Sequence, residues 1–212
     1  MKILVIAPHA DDEIIGCGGY LAKLMSEGKN VDVAYLTTPS RIRRSETDAV
    51  QKFMGFARTF FLNQGPGRSL QNSSELTRDM LKVMRASSPN VLLFPHGCEI
   101  DKDHKFAYDL ARECSYLCES DFQLTPSQKP VSIDILLGYE VWTPIADPQL
   151  GIDISQFMEK KRTAMRMYSS QLHQKNFIRM FEGLNQYRGI TSGQGDYVEA
   201  FMIYKLKEGV LK

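Results

Sequence analysis

Residues 1–13, MKILVIAPHADDE, place a short apolar run directly before a cluster of carboxylates. The run from Ile3 to Ala7 is continuous, which is typical of a strand buried on both faces of a parallel sheet. It is too short for the apolar core of a secretory signal, because Pro8 and polar residues interrupt it. We therefore expect a buried central strand whose carboxyl end leads into a polar loop.

Outward from this strand, apolar and amphipathic segments alternate along the chain. Further strands are predicted at Val31–Thr37, Thr59–Leu62, Val91–Phe94, Val131–Tyr139 and Tyr197–Leu206. Helices are predicted at Asp12–Ser26, Ser45–Met54, Leu76–Met84 and Lys105–Leu117, with a long helix from Ile154 to about Met180 and a loop at Asn63–Ser74. The alternation predicts an α/β fold, Rossmann-like, with a mostly parallel sheet and helices on both faces. No linker or repeat divides residues 1–212, so we expect a single domain.

Composition and charge narrow the class of protein. The chain has 212 residues, 43% hydrophobic and 24% charged, with a formal net charge of +1, as is typical of an ordinary soluble enzyme. The near-neutral charge argues against nucleic acid as the main partner. No stretch approaches the roughly 20 apolar residues of a membrane span. The four cysteines form no C-x-x-C pair, so a reducing cytoplasm is the expected compartment.

Two polar clusters follow predicted strands, one at residues 8–13 and one at residues 99–104. Ligands bind parallel sheets at the carboxyl ends of the strands, so these clusters mark the expected site. His9, Asp12 and His104 could hold one divalent ion, since three protein ligands and an open position are typical of a catalytic metal site. Asp11 would then lie beside the ion, free to act as a general base towards an activated water.

A simpler interpretation of the first cluster is helix capping. A lone H-x-x-D pattern at a helix start is often an N-cap with favourable charges near the helix dipole. However, Asp11, Asp12 and Glu13 are three consecutive carboxylates at a site expected to be partly enclosed, which is costly without a compensating cation. The metal interpretation is therefore favoured.

The two clusters resemble the signatures of the PIG-L/LmbE-like family of zinc-dependent N-acetylglucosamine de-N-acetylases. The first signature is matched by residues 7–13, APHADDE, with Gly16, Gly18 and Gly19 behind it. The second is matched by Pro95, Glu99 and residues 101–104, DKDH. Further matches lie at residues 43–46, 139–142, 168–171 and 197–201. The resemblance thus covers nearly the whole chain.

The resemblance implies an activity and a role for each matched residue. His9, Asp12 and His104 look like zinc ligands, Asp11 like the base, and Asp103 like a residue that orients groups around the site. The implied reaction is hydrolysis of the N-acetyl group of an N-acetylated amino sugar or its conjugate (glycan, glycolipid or glycoside), with metal-bound water as the nucleophile. Two histidines and one carboxylate also describe non-haem iron(II) sites, so Fe²⁺ stays an alternative to Zn²⁺.

One position departs from the family pattern. Asp101 stands where the family usually has a histidine that stabilises the oxyanion or acts as general acid. A protonated Asp101 could donate a hydrogen bond, or His96 could supply the missing imidazole. As a third alternative, the chain is a catalytically impaired, carbohydrate-binding relative. Asp101 is therefore a candidate catalytic residue, and His96 a candidate substrate-binding residue.

Two further side chains are candidates for substrate binding. Arg44, with Arg41 and Arg43 beside it, could bind an acidic substituent, although a solvated helix start is an equally good interpretation. Trp142 could stack on a sugar ring, although a single tryptophan is more often a packing anchor. A nucleotide-binding module is a weaker alternative for the glycines at 16–19, which are better explained by close helix packing. The expected partner is a small N-acetyl amino sugar, and a homo-oligomer is compatible with the sequence.

Overall fold

The protein was analysed as a computed structural model that describes residues 1–64, 74–124 and 128–208. The predicted loop at Asn63–Ser74 lies mainly outside these residues. The described strands are β1 (Lys2–Ala7), β2 (Asn30–Thr37), β3 (Arg58–Gln64), β4 (Val91–Pro95), β5 (Ile135–Tyr139), β6 (Leu150–Asp153) and β7 (Val198–Leu206). The described helices are α1 (Asp12–Ser26), α2 (Arg41–Met54), α3 (Ser74–Ser87), α4 (Lys102–Leu117), α5 (Met158–Met167), α6 (Ser169–Leu172) and α7 (Phe177–Ser192).

The strands form one sheet in the order β3-β2-β1-β4-β5-β7-β6. The first five strands in this order pair in parallel, and β7 runs antiparallel to both β5 and β6. The predicted α/β fold with a mostly parallel sheet is confirmed. Because the chain moves outward from β1 to β3 and then returns to β4 on the other side of β1, the loops after β1 and β4 leave the sheet side by side. Such a reversal of strand order is where open α/β sheets bind ligands.

Helices cover both faces of the sheet, as the apolar run of β1 predicts. Side chains alternate along a strand, so Ile3 and Val5 pack with α1, α2, α5 and α7, whereas Leu4 and Ile6 pack with α3 and α4. The glycines of α1 permit close packing, as expected: a Cβ on Gly16 would lie 2.9 Å from the carbonyl oxygen of Glu140. Among the described residues, no helix is long and apolar enough to cross a membrane.

Two predicted elements begin at a clearly different residue in the structure. The strand expected from Val131 begins only at Ile135, because Val131 donates its backbone N–H to the carbonyl of Cys118 instead of joining the sheet. The helix expected from Ser45 begins at Arg41, because the Ser40 side chain accepts the amide of Arg43 and caps it.

The long helix predicted from Ile154 to about Met180 is wrong. The segment consists of a 3₁₀ turn, α5, α6 and the start of α7. The break between α5 and α6 falls at Tyr168, a buried residue with non-helical backbone angles (φ −83°, ψ 52°). Tertiary contacts of its side chain therefore override the helical pattern of the surrounding residues. The short strand β6 was not predicted.

Candidate active site

The loop after β1 carries its carboxylates on an unusual backbone. Asp11 has φ 127°, a conformation that L-residues rarely adopt. Its backbone N–H donates to Glu13 Oε2 at 3.0 Å, and Glu13 Oε1 accepts the hydroxyl of Tyr168 at 2.8 Å. Buried Glu13 therefore helps to hold a strained residue at the start of α1, and such strain commonly marks a functional site.

Two distant loops bring three potential ligands together. One ligand atom from each of His9, Asp12 and His104 lies within 4.8 Å of the others. His104 Nε2 is 3.0 Å from Asp12 Oδ1, and His9 Nδ1 is 3.3 Å from Asp12 Oδ2. His9 and Asp12 follow β1, whereas His104 lies in the first turn of α4 after β4.

The donors at this point fit a divalent cation. His104 Nε2 is buried and, within the described part of the chain, makes no hydrogen bond of good geometry, although it lies close to Asp12. Buried polar atoms are normally satisfied, so an unpartnered imidazole nitrogen that faces a carboxylate is best explained as a metal donor. Two imidazoles and one carboxylate form a common ligand set for zinc and for iron(II).

Each imidazole is also held from behind by an aspartate. His9 Nε2 lies 3.0 Å from Asp103 Oδ2, and His104 Nδ1 lies 2.7 Å from Asp101 Oδ1. In both rings, the other nitrogen is left to face Asp12. Carboxylates that hydrogen-bond the outer nitrogen of ligating histidines fix the ring orientation and raise its basicity. Asp101 additionally caps α4 by accepting the amides of Asp103 and His104.

Burial and neighbouring charges shift the pKa values of Asp11 and Asp12 in opposite directions. Burial raises the pKa of Asp11 well above its usual value, and the charge of Asp12 raises it further. Burial opposes ionisation of Asp12 as well, but the charge on His104 lowers its pKa. For His104, burial disfavours the charged ring, yet Asp12 and Asp101 raise its pKa to about 10. A proton and a divalent cation therefore compete for the same position between His104 and Asp12.

A cavity of about 270 Å³ opens beside these residues. Its polar end is formed by His9, Asp11, Asp12, Asp101 and His104. The remaining wall comes from α1, α2, the segment after β5 and the α6–α7 region. It consists of Ile15, Arg43, Trp142, Gln171, Gln174, Lys175 and Phe177. The site thus has room for a small ligand next to the three potential metal ligands.

Two residues that were predicted to bind substrate, His96 and Arg44, do not line this cavity. His96 is buried, and both its nitrogens are used: Nδ1 accepts the amide of Cys98 at 3.2 Å, and Nε2 donates to the carbonyl of Thr143 at 2.6 Å. Arg44 pairs with Asp48 at 3.2 Å and lies over the ring of Phe61. Neither residue is among those that line the cavity, and substrate binding by either one stays a prediction.

The geometry also narrows the alternatives for Asp101. Although partial burial opposes ionisation, hydrogen bonds from His104 lower the pKa of Asp101. In this geometry Oδ1 of Asp101 is a hydrogen-bond acceptor, because it accepts the amides of Asp103 and His104. The His96 ring is not among the residues that line the cavity, so this geometry does not support the alternative in which His96 supplies the missing imidazole.

Trp142 does line the cavity, but its ring is not an open platform. The Lys175 ammonium lies 4.5 Å from the ring centroid, and Phe177 contacts the ring edge-to-face at 5.8 Å. The backbone around Trp142 is held by Glu99, whose carboxylate accepts the amides of residues 141, 142 and 143. The tryptophan therefore has a packing role as well as a place in the wall.

Sequence reasoning missed several residues of the cavity wall. Gln171, Gln174 and Lys175 come from a segment that was predicted as a plain polar helix, whereas Arg43 had been named beside Arg44 as a possible anion-binding residue. A partial signal existed for Gln171, since residues 168–171 are among the matches to the family.

The fold and this cluster define the chain as a Rossmann-like α/β protein with a candidate metal site at the carboxyl edge of the sheet. Comparison with protein families gives its place: residues 4–115 match the PIG-L family, described as GlcNAc-PI de-N-acetylase. The chain belongs to this family, as the resemblance at residues 7–13 implied.

Individual proteins are similar to this chain in sequence or in fold. A diacetylchitobiose deacetylase from Thermococcus kodakarensis is 29% identical over an alignment 193 residues long, which covers 80% of this chain and 70% of the relative. The solved structure of N,N'-diacetylchitobiose deacetylase from Pyrococcus horikoshii has a TM-score of 0.83 at 25% identity, covering 99% of this chain and 87% of that one. The 4-carboxy-2-hydroxymuconate hydratase from Pseudomonas putida has a TM-score of 0.85 at 20% identity, covering 99% and 100% respectively, and shows the fold alone.

Proposed function

We propose that this protein is a metal-dependent hydrolase that removes the N-acetyl group from an N-acetylated amino sugar or its conjugate. One observation carries the proposal: His9, Asp12 and His104 offer three ligand atoms within 4.8 Å of one another, and Asp11 lies beside them in the same cavity. Family membership supports the reaction class, and the relatives that are named as deacetylases act on acetylated sugars.

His9, Asp12 and His104 would hold the ion, with zinc or iron(II) as the chemically suitable metals. Such an ion supplies Lewis acidity, which lowers the pKa of a water molecule towards ~7 and polarises an amide carbonyl. Asp11 is a carboxylate of the cavity outside the proposed ligand set, and we assign to it the removal of the proton from the attacking water. The same carboxyl group can then deliver that proton to the departing amine, so that acetate and a free amino sugar leave.

Asp101 and Asp103 act in this proposal as positioning residues. Their hydrogen bonds to His104 and His9 hold the two rings so that one nitrogen of each faces Asp12. Asp101, a catalytic candidate from the sequence, is thus assigned the orientation of a ligand and not the donation of a proton. The cytoplasm stays the proposed compartment, supported by the free thiols of all four cysteines.

The test is an acetate-release assay on purified protein with known metal content. Substrates should include N-acetylglucosamine, its β-linked dimer, N-acetylglucosamine glycosides and sugar nucleotides. We expect one acetate per free amine formed, without consumption of oxygen, which separates hydrolysis from iron-dependent oxygenation. Release of acetate from no member of the panel by metal-loaded protein would contradict the proposal.

A second candidate is a catalytically impaired, carbohydrate-binding relative. It is favoured by the lining of the cavity, where Asp101 stands at the position of the usual family histidine and His96 is absent. This candidate predicts sugar binding by the metal-loaded protein without acetate release, and sugar binding that is unaffected by Asp11→Ala. Turnover that depends on Asp11 would exclude it.

A further inference from the structure

Two basic side chains stand in the wall of the cavity without a carboxylate partner. Arg43 and Lys175 both line it, and among residues 1–64, 74–124 and 128–208 neither forms an ion pair within 4.0 Å. Their neighbour Arg44, by contrast, pairs with Asp48. Cations at the rim of a ligand cavity that lack an anionic partner are candidates for binding an anionic ligand group.

The placement of the two cations reinforces their charge. Arg43 is half-buried in the first turn of α2, and Lys175 lies two residues before the start of α7. The positive ends of both helix dipoles therefore lie on the same wall of the cavity. The Lys175 ammonium is further held over the ring of Trp142, at 4.5 Å from the centroid, which keeps it beside the cavity.

At the acidic end of the cavity, a bound metal ion would offset most of the negative charge. Asp11, Asp12 and Asp101 are the acidic residues that line it, and a divalent cation would neutralise two of these charges. Arg43 and Asp11 line the same cavity, so the basic wall adjoins the acidic end. With the ion in place, the cavity carries a positive excess on the side of α2 and α7.

From this arrangement we propose that Arg43 and Lys175 bind an anionic substituent, a phosphate or a carboxylate, on the acetylated amino sugar. The inference rests on the proposed deacetylation, with the acetamido group directed to the metal ligands and the anion to the basic wall. An arginine fork and a lysine ammonium are the side chains that bind such oxyanions by charge-assisted hydrogen bonds. Trp142 then serves to hold Lys175, and its own stacking on the sugar is secondary.

The test compares substrates that differ only in charge. Acetate release is measured for N-acetylglucosamine, N-acetylglucosamine 6-phosphate and N-acetylmuramic acid, so that the phosphate and carboxylate arms are separate. We expect kcat/KM to be about 10-fold higher for at least one anionic sugar, the scale of one charge-assisted contact. The preferred arm identifies the anion, and equal values for all three sugars would overturn the inference.

Variants then assign the preference to the two residues. In Lys175→Gln and in Arg43→Gln, the ratio of kcat/KM for the anionic to the neutral sugar should fall towards one, while Lys175→Arg should retain the preference. Lys160→Gln is a matched control, because Lys160 also lies over an aromatic ring, that of Phe53, outside the cavity. A ratio that survives in both the Lys175→Gln and the Arg43→Gln variants would overturn the assignment.

A binding measurement keeps this result separate from the proposed reaction. Titration of the protein with glucosamine 6-phosphate, with the corresponding carboxylate sugar and with glucosamine requires no turnover. Tighter binding of an anionic product, lost in Lys175→Gln and weakened by added salt, supports the basic wall even if no acetate is released. Equal binding of the charged and neutral products would count against it, whatever the outcome of the acetate assay.

Discussion

Asp101 and Asp103 give the candidate metal site its order, because each hydrogen-bonds one imidazole and leaves the other nitrogen facing Asp12. The change of Asp101 to asparagine retains a good N-cap for α4, so it tests the contact to His104 specifically. We expect Asp101→Asn and Asp103→Asn to lower metal affinity by about 10- to 100-fold, the usual effect of losing a partner behind a ligand.

Competition with a chromophoric chelator measures this change in affinity. Asp147→Asn is the control, since Asp147 is exposed and lies outside the cavity. Unchanged metal affinity in both the Asp101 and the Asp103 variants would show that these aspartates do not position the ligands.

Asp11 offers the sharpest separation between binding and chemistry. Asp11→Asn keeps the size of the side chain but cannot accept the proton of the attacking water. We expect the metal content to stay near one ion per chain and kcat to fall by about 10²- to 10⁴-fold, the usual contribution of a general base. His104→Ala should instead lose the metal itself. Metal analysis and acetate release on the same preparations distinguish the two, and full activity of Asp11→Asn would remove the assigned base.

At this scale the clustering of the three candidate ligands could be predicted, whereas the rest of the cavity lining could be predicted only in part. His9, Asp12 and His104 follow predicted strands, and strand ends of a parallel sheet meet at one edge. Helix α2 begins four residues earlier than expected, so Arg43 and Arg44 both lie on the helix, where one residue turns a side chain by about 100°. Arg43 therefore lines the cavity and Arg44 does not. The position of the His96 ring could not be predicted, because the conformation of the loops determines its contacts with Cys98 and Thr143.

Among the helices, α1 depends on a buried charge pair. Its geometry is interrupted at Cys17, and the following amides of Gly19 and Tyr20 donate to the carboxylate of Glu199 in β7. Lys161 of α5, fully buried, donates to the same carboxylate at 2.7 Å. This network ties α1, α5 and β7 together behind the loop that carries the candidate ligands.

Removal of Lys161 should therefore destabilise the fold without touching the cavity. In Lys161→Met the carboxylate of Glu199 stays buried without its cation, and we expect a loss of about 3–5 kcal/mol in the free energy of unfolding. Urea denaturation measures the loss. The neighbouring Lys160→Met is the control, expected within about 0.5 kcal/mol because its side chain is not fully buried. A similar small change for both variants would contradict the role given to the pair.

Elements with a simple apolar period were predicted well, and those shaped by single tertiary contacts were not. The strands β1, β2 and β4 are buried apolar runs, and their positions were predicted to within one or two residues. The helical pattern between Ile154 and Met180 gave no sign of its break. That break follows from the contact of the Tyr168 hydroxyl with Glu13, more than 150 residues away in sequence.

At the scale of the whole molecule, the order of the strands in the sheet brings the two loops of the candidate site together. Residues 9–12 and 101–104 meet only because β1 and β4 are neighbours at the point where the chain reverses its direction across the sheet. The alternation of strands and helices predicted this class of fold, since parallel strands require crossovers. The antiparallel pairing of β6 with β7 could not be predicted, because β6 has only four residues and no buried ones.

A site shared by two loops should couple metal binding to the stability of the entire fold. An ion that binds only the folded chain stabilises it by about 2.7 kcal/mol at 100 times its Kd. For a domain of this size, that corresponds to a rise in Tm of roughly 5–10 °C. Thermal denaturation with and without a chelator should show this shift in the wild-type protein and none in His104→Ala. An equal shift in the variant would place the ion elsewhere.

The most direct measurement of the central claim is a metal titration followed by acetate release. Protein stripped by a chelator is titrated with Zn²⁺, and in parallel with Fe²⁺ under anaerobic conditions, in the presence of an N-acetylated amino sugar that it turns over. The account predicts no acetate from the stripped protein, and a rise in rate that is complete at one ion per chain and absent in His104→Ala. Acetate release by the stripped protein at the full rate, or equal recovery in His104→Ala, would contradict it.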